Sequence, residues 1–126
     1  MKCKSLLFLC MILLLSCNKN TNFKVIGTPK IIGNLIVAEK DFPRLMDWNT
    51  AVSTCGSLDS GWRLPSIDEL SILKLYKDSI GGFTIGDYWS STKIDQLSAW
   101  HMYFLNGFKG ETPMYVKYNV RAVRTR

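Results

Sequence analysis

Six consecutive residues, Gly61 to Ser66 (GWRLPS), restrict what this chain can fold into more than any other stretch. Gly61 can take the positive φ that follows a helix end, and Trp62 then turns a large ring toward a core, with Leu64 as a second apolar plug. Pro65 holds Leu64 extended, so the backbone cannot run through as one helix. A new helix is predicted to begin at once, because Ser66 and Glu69 fit a capping box and Asp68 adds negative charge near the positive end of the helix dipole. Arg63 lies between two core residues and must snorkel or fork onto a carboxylate, so a partly buried ion pair is expected.

Around that punctuation the hydrophobic spacing predicts two helices followed by a β-rich half. Asp47 is a plausible N-cap, after which Trp48, Ala51, Val52, Cys55 and Leu58 form one apolar stripe. The second helix runs from about Ile67 to Tyr76, with Leu70 and Leu73 facing inward. FKVIG and NLIVAEK read as strands, with Gly33-Asn34 or Pro29 marking the turn region. IGGFTIGD reads as a loop carrying Phe83 and Ile85 as plugs, and Tyr88 to Ser91 as a strand whose serines satisfy backbone groups. Ala99 to Leu105 alternates, Asn106-Gly107 is a hairpin signal, and a last strand over about Asn119 to Thr125 is expected to close the core.

The N-terminus reads as an export signal. Lys2 and Lys4 precede an apolar run from Leu6 to Leu15, which is half the length of about 20 residues that a spanning helix needs. The run ends in LLSC, which resembles a lipoprotein lipobox and makes Cys17 the expected lipidation site. The implied organisation is a signal peptide over residues 1–16, a polar tether over 17–22 and one domain over 23–126. With the signal removed, 14 basic residues stand against 10 acidic ones, and Cys55 is the sole cysteine left in the domain. No intramolecular disulfide can form, so cohesion must come from the apolar core, and Cys55 on its stripe reads as a core residue rather than a nucleophile.

The ordered set GWRLPSIDEL, IGGF, DYWSS, AW and VRAVR resembles the Lcl C-terminal domain family of bacterial surface proteins and lipoproteins, over about residues 34–126. Its signature falls on Gly61, Trp62, Arg63, Leu64 and Pro65 and on Tyr88, Trp89, Ser90 and Ser91. The resemblance implies an α+β, C-type-lectin-like fold with two helices packed on a small, twisted, mainly antiparallel sheet. It also implies adhesion, since the collagen-like adhesin's terminal domain in this family is associated with glycosaminoglycans.

Function is expected to be binding rather than catalysis. Tyr103, Phe108, Lys109, Tyr115 and Lys117 are the candidate binding residues, since aromatic faces stack on sugar rings and lysines attract acidic groups. The basic stretch Lys117, Arg121, Arg124 and Arg126 points, for an exported chain, to an envelope or host polyanion rather than nucleic acid. The expected partners are the outer membrane through the lipid and a glycan or another envelope protein. The EPN and WND elements of calcium-dependent lectins are absent from the sequence, and no metal or cofactor is expected. The RLP pattern is also similar to formylglycine-generating enzymes, but their reactive cysteine pair has no counterpart here, and His101 has no cysteine or histidine partner in sequence.

Overall fold

Two capped helices set the frame. The computed structural model describes residues 25–59 and 61–126, so the signal peptide, Cys17 and the tether lie outside the described residues. Helix α1 spans Trp48–Gly56, and Asp47 accepts from the Thr50 amide at 2.9 Å. Helix α2 spans Ile67–Leu75 and opens with the reciprocal capping box, Glu69 N donating to Ser66 Oγ at 3.1 Å and Ser66 N to Glu69 Oε1 at 2.8 Å. A four-residue helix α3, Lys77–Ile80, follows directly; the hydrophobic spacing predicts no third helix, and Tyr76 at the junction is exposed.

The strands form two small antiparallel sheets where one was expected. The first has the order β1 (Lys30–Ile32), β2 (Leu35–Val37), β6 (Val123–Thr125), and the second β3 (Asp87–Lys93), β4 (Ser98–Tyr103), β5 (Phe108–Pro113). Gly33 takes a φ of 58° in the β1–β2 turn, which settles the turn at Gly33-Asn34 and moves the first strand to Lys30–Ile32; Val25 and Ile26 are helical. Residues 118–123 join the two sheets through isolated bridges from Tyr118 to Met46, Asn119 to Tyr88 and Val123 to Arg63.

Successive β3 residues face opposite sides, and each side has its own core. Trp89 joins Trp48, Ala51, Cys55, Leu58, Trp62 and Leu64 under α1, while Tyr88 joins Leu70, Leu73, Met102 and Phe104 under α2. Trp89 is fully buried and Trp62 nearly so, each contributing roughly 4–6 kcal/mol of apolar burial as an upper estimate. Their polar edges are placed: Trp89 Nε1 donates to Met46 O and Trp48 Nε1 to Ser90 O, both at 2.8 Å. Val52 and Ile85, expected inside, are exposed, because α1 buries only the Trp48–Ala51–Cys55 line and the 81–86 loop turns Phe83 alone inward.

The C-terminal basic stretch is not one surface. Arg121 is fully buried between the sheets, Nε 2.7 Å from Asp41 Oδ1 and the guanidinium carbon 3.9 Å above the Phe83 ring. Arg124 lies over Trp62 at 6.0 Å, which leaves Lys117 and Arg126 exposed. Two valines, an alanine and an arginine in a row are buried at 120–123 because this segment runs between the sheets and both its faces are covered.

Candidate functional site

The signature residues hold the fold together. Arg63 forks onto Glu69 at 2.7 and 3.0 Å and reaches Thr125 Oγ1 at 3.0 Å, so one carboxylate serves both the helix cap and the ion pair. The Arg63 hydrogen bond, followed by the Ser66 amide and the charge itself, holds Glu69 below the usual carboxylate range against the cost of burial. The two motifs touch: Ser91 N donates to Pro65 O at 2.8 Å and Ile67 N to Thr92 Oγ1 at 3.0 Å. Ser90 is buried and donates to Trp100 O at 2.6 Å. These side chains are spent on packing and backbone satisfaction.

The groups capable of chemistry are enclosed in the same way. Cys55 is buried and burial pushes its thiol up to about 12, which keeps it neutral and unreactive. His101 stands in a line that the order of residues did not reveal: Asp87 Oδ1 lies 3.3 Å from Nε2, and Thr112 Oγ1 2.6 Å from Nδ1. An acid, an imidazole and a hydroxyl in that order resemble a nucleophile relay. The hydroxyl, however, is buried and lies 3.3 Å from Tyr118 Oη, while the His101 ring packs on Tyr118 at 4.9 Å. Among the described residues no group of three or more His, Cys, Asp or Glu is arranged to hold a metal.

This line makes a pH prediction. Burial lowers the His101 imidazole below 6.5, outweighing the opposing Asp87 charge and Gly110 hydrogen bond. A histidine held neutral in the folded state contributes stability that is present above its unfolded pKa and lost as pH falls from about 6.5 toward its folded value. The urea midpoint should therefore fall between pH 7 and 5, above the window in which Glu69 protonates, and H101Q should flatten that step. An unchanged slope in H101Q would show that His101 does not carry it.

The five candidate binding residues fall at opposite ends of the second sheet. Tyr103 pairs with Phe108 across the Asn106-Gly107 turn, with Lys109 beside them, whereas Tyr115 and Lys117 follow the far end of β5. Five strand steps, roughly 17 Å, separate the groups, so no single ligand of sugar size meets both. Tyr115 and Lys117 are the pair that adjoins a cleft. It measures about 430 Å³ and is lined by Asn49, Gln96, Leu97, Pro113, Met114 and Tyr115, with Ser98 at its back.

Local chemistry explains that cleft. Asp95 Oδ1 accepts from the Leu97 and Ser98 amides, both at 2.8 Å, which pins the β3–β4 turn and turns Leu97 outward. The same backbone hydrogen bonds, that from Leu97 first, hold the exposed Asp95 carboxyl below its ordinary range. Met114 N donates to Leu97 O and Trp48 N to Met114 O, tying the turn, the end of β5 and the start of α1 into one rim. Leu97 and Tyr115 are each 79% exposed on that rim. Lys93 lies 5.1 Å from the Trp48 ring, and Lys117 is close enough to Asp47 to lower its pKa, after the Thr50 hydrogen bonds. Sequence reading missed Asn49, Gln96 and Leu97; the available signal was Leu97, an apolar residue in the four-residue connection Ile94 to Leu97 where no strand face claims it.

A sheet that pairs β2 with the last strand β6, the helices α1 and α2, and a second three-stranded sheet make the arrangement of C-type-lectin-like domains. Botrocetin matches with a TM-score of 0.61 at 11% identity, covering 79% of this chain and 98% of that one. A chain from the complex of botrocetin with a mutant von Willebrand factor A1 domain matches at 0.58, with 12% identity and 79% and 98% coverage. EMS16, an antagonist of the collagen receptor integrin α2β1, matches at 0.59, with 13% identity and 78% and 97% coverage. No curated protein sequence matches. The family profile of the Lcl C-terminal domain does, over residues 17–124, and the chain belongs to that family.

Proposed function

We propose that this chain is a non-catalytic binding module, exported, held at the outer membrane by lipid on Cys17, and meeting acidic or sugar-bearing polymers at the Leu97–Tyr115 cleft. The observation that carries this is the contrast at the two kinds of residue. The thiol, the imidazole and the Thr112 hydroxyl are enclosed, while Leu97 and Tyr115 stand 79% exposed beside an open cleft. A free tyrosine ring offers a stacking face, the Asn49 and Gln96 amides offer donors and acceptors, and Lys93 and Lys117 supply positive charge nearby. The test is retention on heparin and on a glycan array at physiological salt. Tyr115→Ala and Lys117→Glu are each expected to weaken binding about tenfold, the size of one lost stacking or charge contact. A folded protein that no glycan or polyanion retains would remove this ligand class.

A second reading, docking to an envelope protein, is favoured by the apolar part of the same rim, Leu97, Pro113 and Met114. Two of the fold relatives are also described with protein targets, a von Willebrand factor domain and an integrin. Pulldown from solubilised membranes with wild type and Leu97→Asp separates the readings, because only a protein partner recovered by the former and lost by the latter supports docking.

A further inference from the structure

The opposite end of the second sheet carries a different surface. Ile85 in the loop after α3 and Leu105 in the β4–β5 turn are both more than half exposed. Gly107 lies against Lys74, Phe104 N donates to Gly86 O, and Lys77, Ile85 and Phe104 line one depression of about 240 Å³. The charges among them are basic. Lys74 stands against the β4–β5 turn and Lys77 lines the depression, with Asp78 the acid there, bound to Lys77 at 3.0 Å.

The chain's N-terminal side reaches the domain here. Lys40 N donates to Val25 O and Glu39 N to Ile26 O, while Glu39 O lies beside Gly82 of the loop that lines the depression. Residues 17–24, fully extended, span at most about 28 Å, so a lipid on Cys17 keeps this end within reach of the bilayer.

We propose that this apolar and basic end rests on the surface of an anionic lipid bilayer, a reading that builds on lipid attachment at Cys17. The leucine and isoleucine side chains enter the headgroup boundary while the lysines meet the acidic headgroups, the combination by which proteins lie on membranes. The Leu97–Tyr115 cleft, at the other end of β4, then points away from the membrane, where a polymer or partner can reach it. Leu105 and Leu97 flank β4 and so report the two ends.

The test uses the full protein purified from the cells that make it, carrying L105C or L97C with an environment-sensitive dye, on vesicles of phosphatidylglycerol and phosphatidylcholine. Cys55 is buried and stays unlabelled in the folded protein. The dye at position 105 is expected to shift to the blue and to be quenched at least threefold more by brominated acyl chains than the dye at 97. Equal quenching, or stronger quenching at 97, would overturn the orientation. Pure phosphatidylcholine should reduce the difference, and an unchanged difference would remove the headgroup-charge component. The mass of the N-terminal peptide reads the anchor separately, and without an acyl mass the Cys17 reading fails. Vesicles are then added to unanchored protein in which Cys3, Cys10 and Cys17 are changed to serine, labelled at the same two positions, where stronger quenching at 105 supports the orientation and equal or reversed quenching overturns it.

Discussion

Asp41→Ala is expected to cost the domain about 3–5 kcal/mol, a large part of the 5–15 kcal/mol by which folded domains exceed their unfolded chains. The reason is Arg121. Its guanidinium is fully buried, with Nε on Asp41 Oδ1 at 2.7 Å and Nη1 on the carbonyls of Ala38 and Gly81 at 3.1 and 3.2 Å. The second Asp41 oxygen accepts from Tyr88 Oη at 2.5 Å, and that phenol in turn accepts from Thr84 N at 2.9 Å. Burial raises the Asp41 carboxyl and, with the Asp41 carboxylate, pushes the Tyr88 phenol up to about 12, so Tyr88 stays a donor throughout the accessible pH range. Removing the carboxylate leaves a cation that cannot lose its proton in a site without water-facing surface. Nη2 already lacks a partner, and Gly82, at φ 76°, is the residue whose missing Cβ keeps it from being crowded at 3.1 Å. The double change Asp41→Ala with Arg121→Met removes both charges and should cost less than Asp41→Ala alone, as buried pairs replaced together by apolar groups do. Urea titrations of the three proteins decide it; a single variant within 1 kcal/mol of wild type would mean that the guanidinium finds water by local opening.

This network shows where reading the residues in order succeeds and where it stops. The helices were legible because their signals are local: Asp47 and Ser66 lie next to what they cap, and Leu70 and Leu73 share a face by spacing alone. The hairpin at Asn106-Gly107 and the turn at Gly33 were legible for the same reason. Arg63 was expected in a partly buried pair, and its partner proved to be the capping residue six positions on. Arg121 was read as part of a basic edge because its partner, Asp41, is 80 residues away and nothing near either residue signals the other. The split into two sheets was hidden likewise, since alternation in VRAVR says that a strand is present but not that both its faces are covered. The cleft was half legible: Tyr115 and Lys117 stand out as an exposed ring and charge, whereas Asn49, Gln96 and Leu97 become a site only when α1, the β3–β4 turn and the end of β5 meet.

Truncation after Tyr118 is expected to abolish the cooperative thermal transition. The eight residues removed do three things that nothing else among the described residues does. They pair β6 with β2, Val37 opposite Val123 and Leu35 opposite Thr125; they tie β3 to the rest through Trp89 N donating to Asn119 O; and they bring Arg121 to Asp41. Val120, Ala122 and Val123 are fully buried, and the two valines alone carry roughly 3–6 kcal/mol of burial. Each core loses a wall, since Val120 and Ala122 pack under α1 and Val123 under α2, and Asp41 is left buried without its cation. The summed loss is comparable to the whole stability of a domain with no disulfide to limit its unfolded state. Removing Arg126 alone is the matched control, because it takes away the Arg126 N to Asn34 O hydrogen bond of 2.8 Å and should shift stability by only about 1 kcal/mol. Near-ultraviolet circular dichroism reports the buried tryptophans directly. A truncated chain that kept both that signal and a sharp melt would show that the two sheets hold together without the segment that joins them.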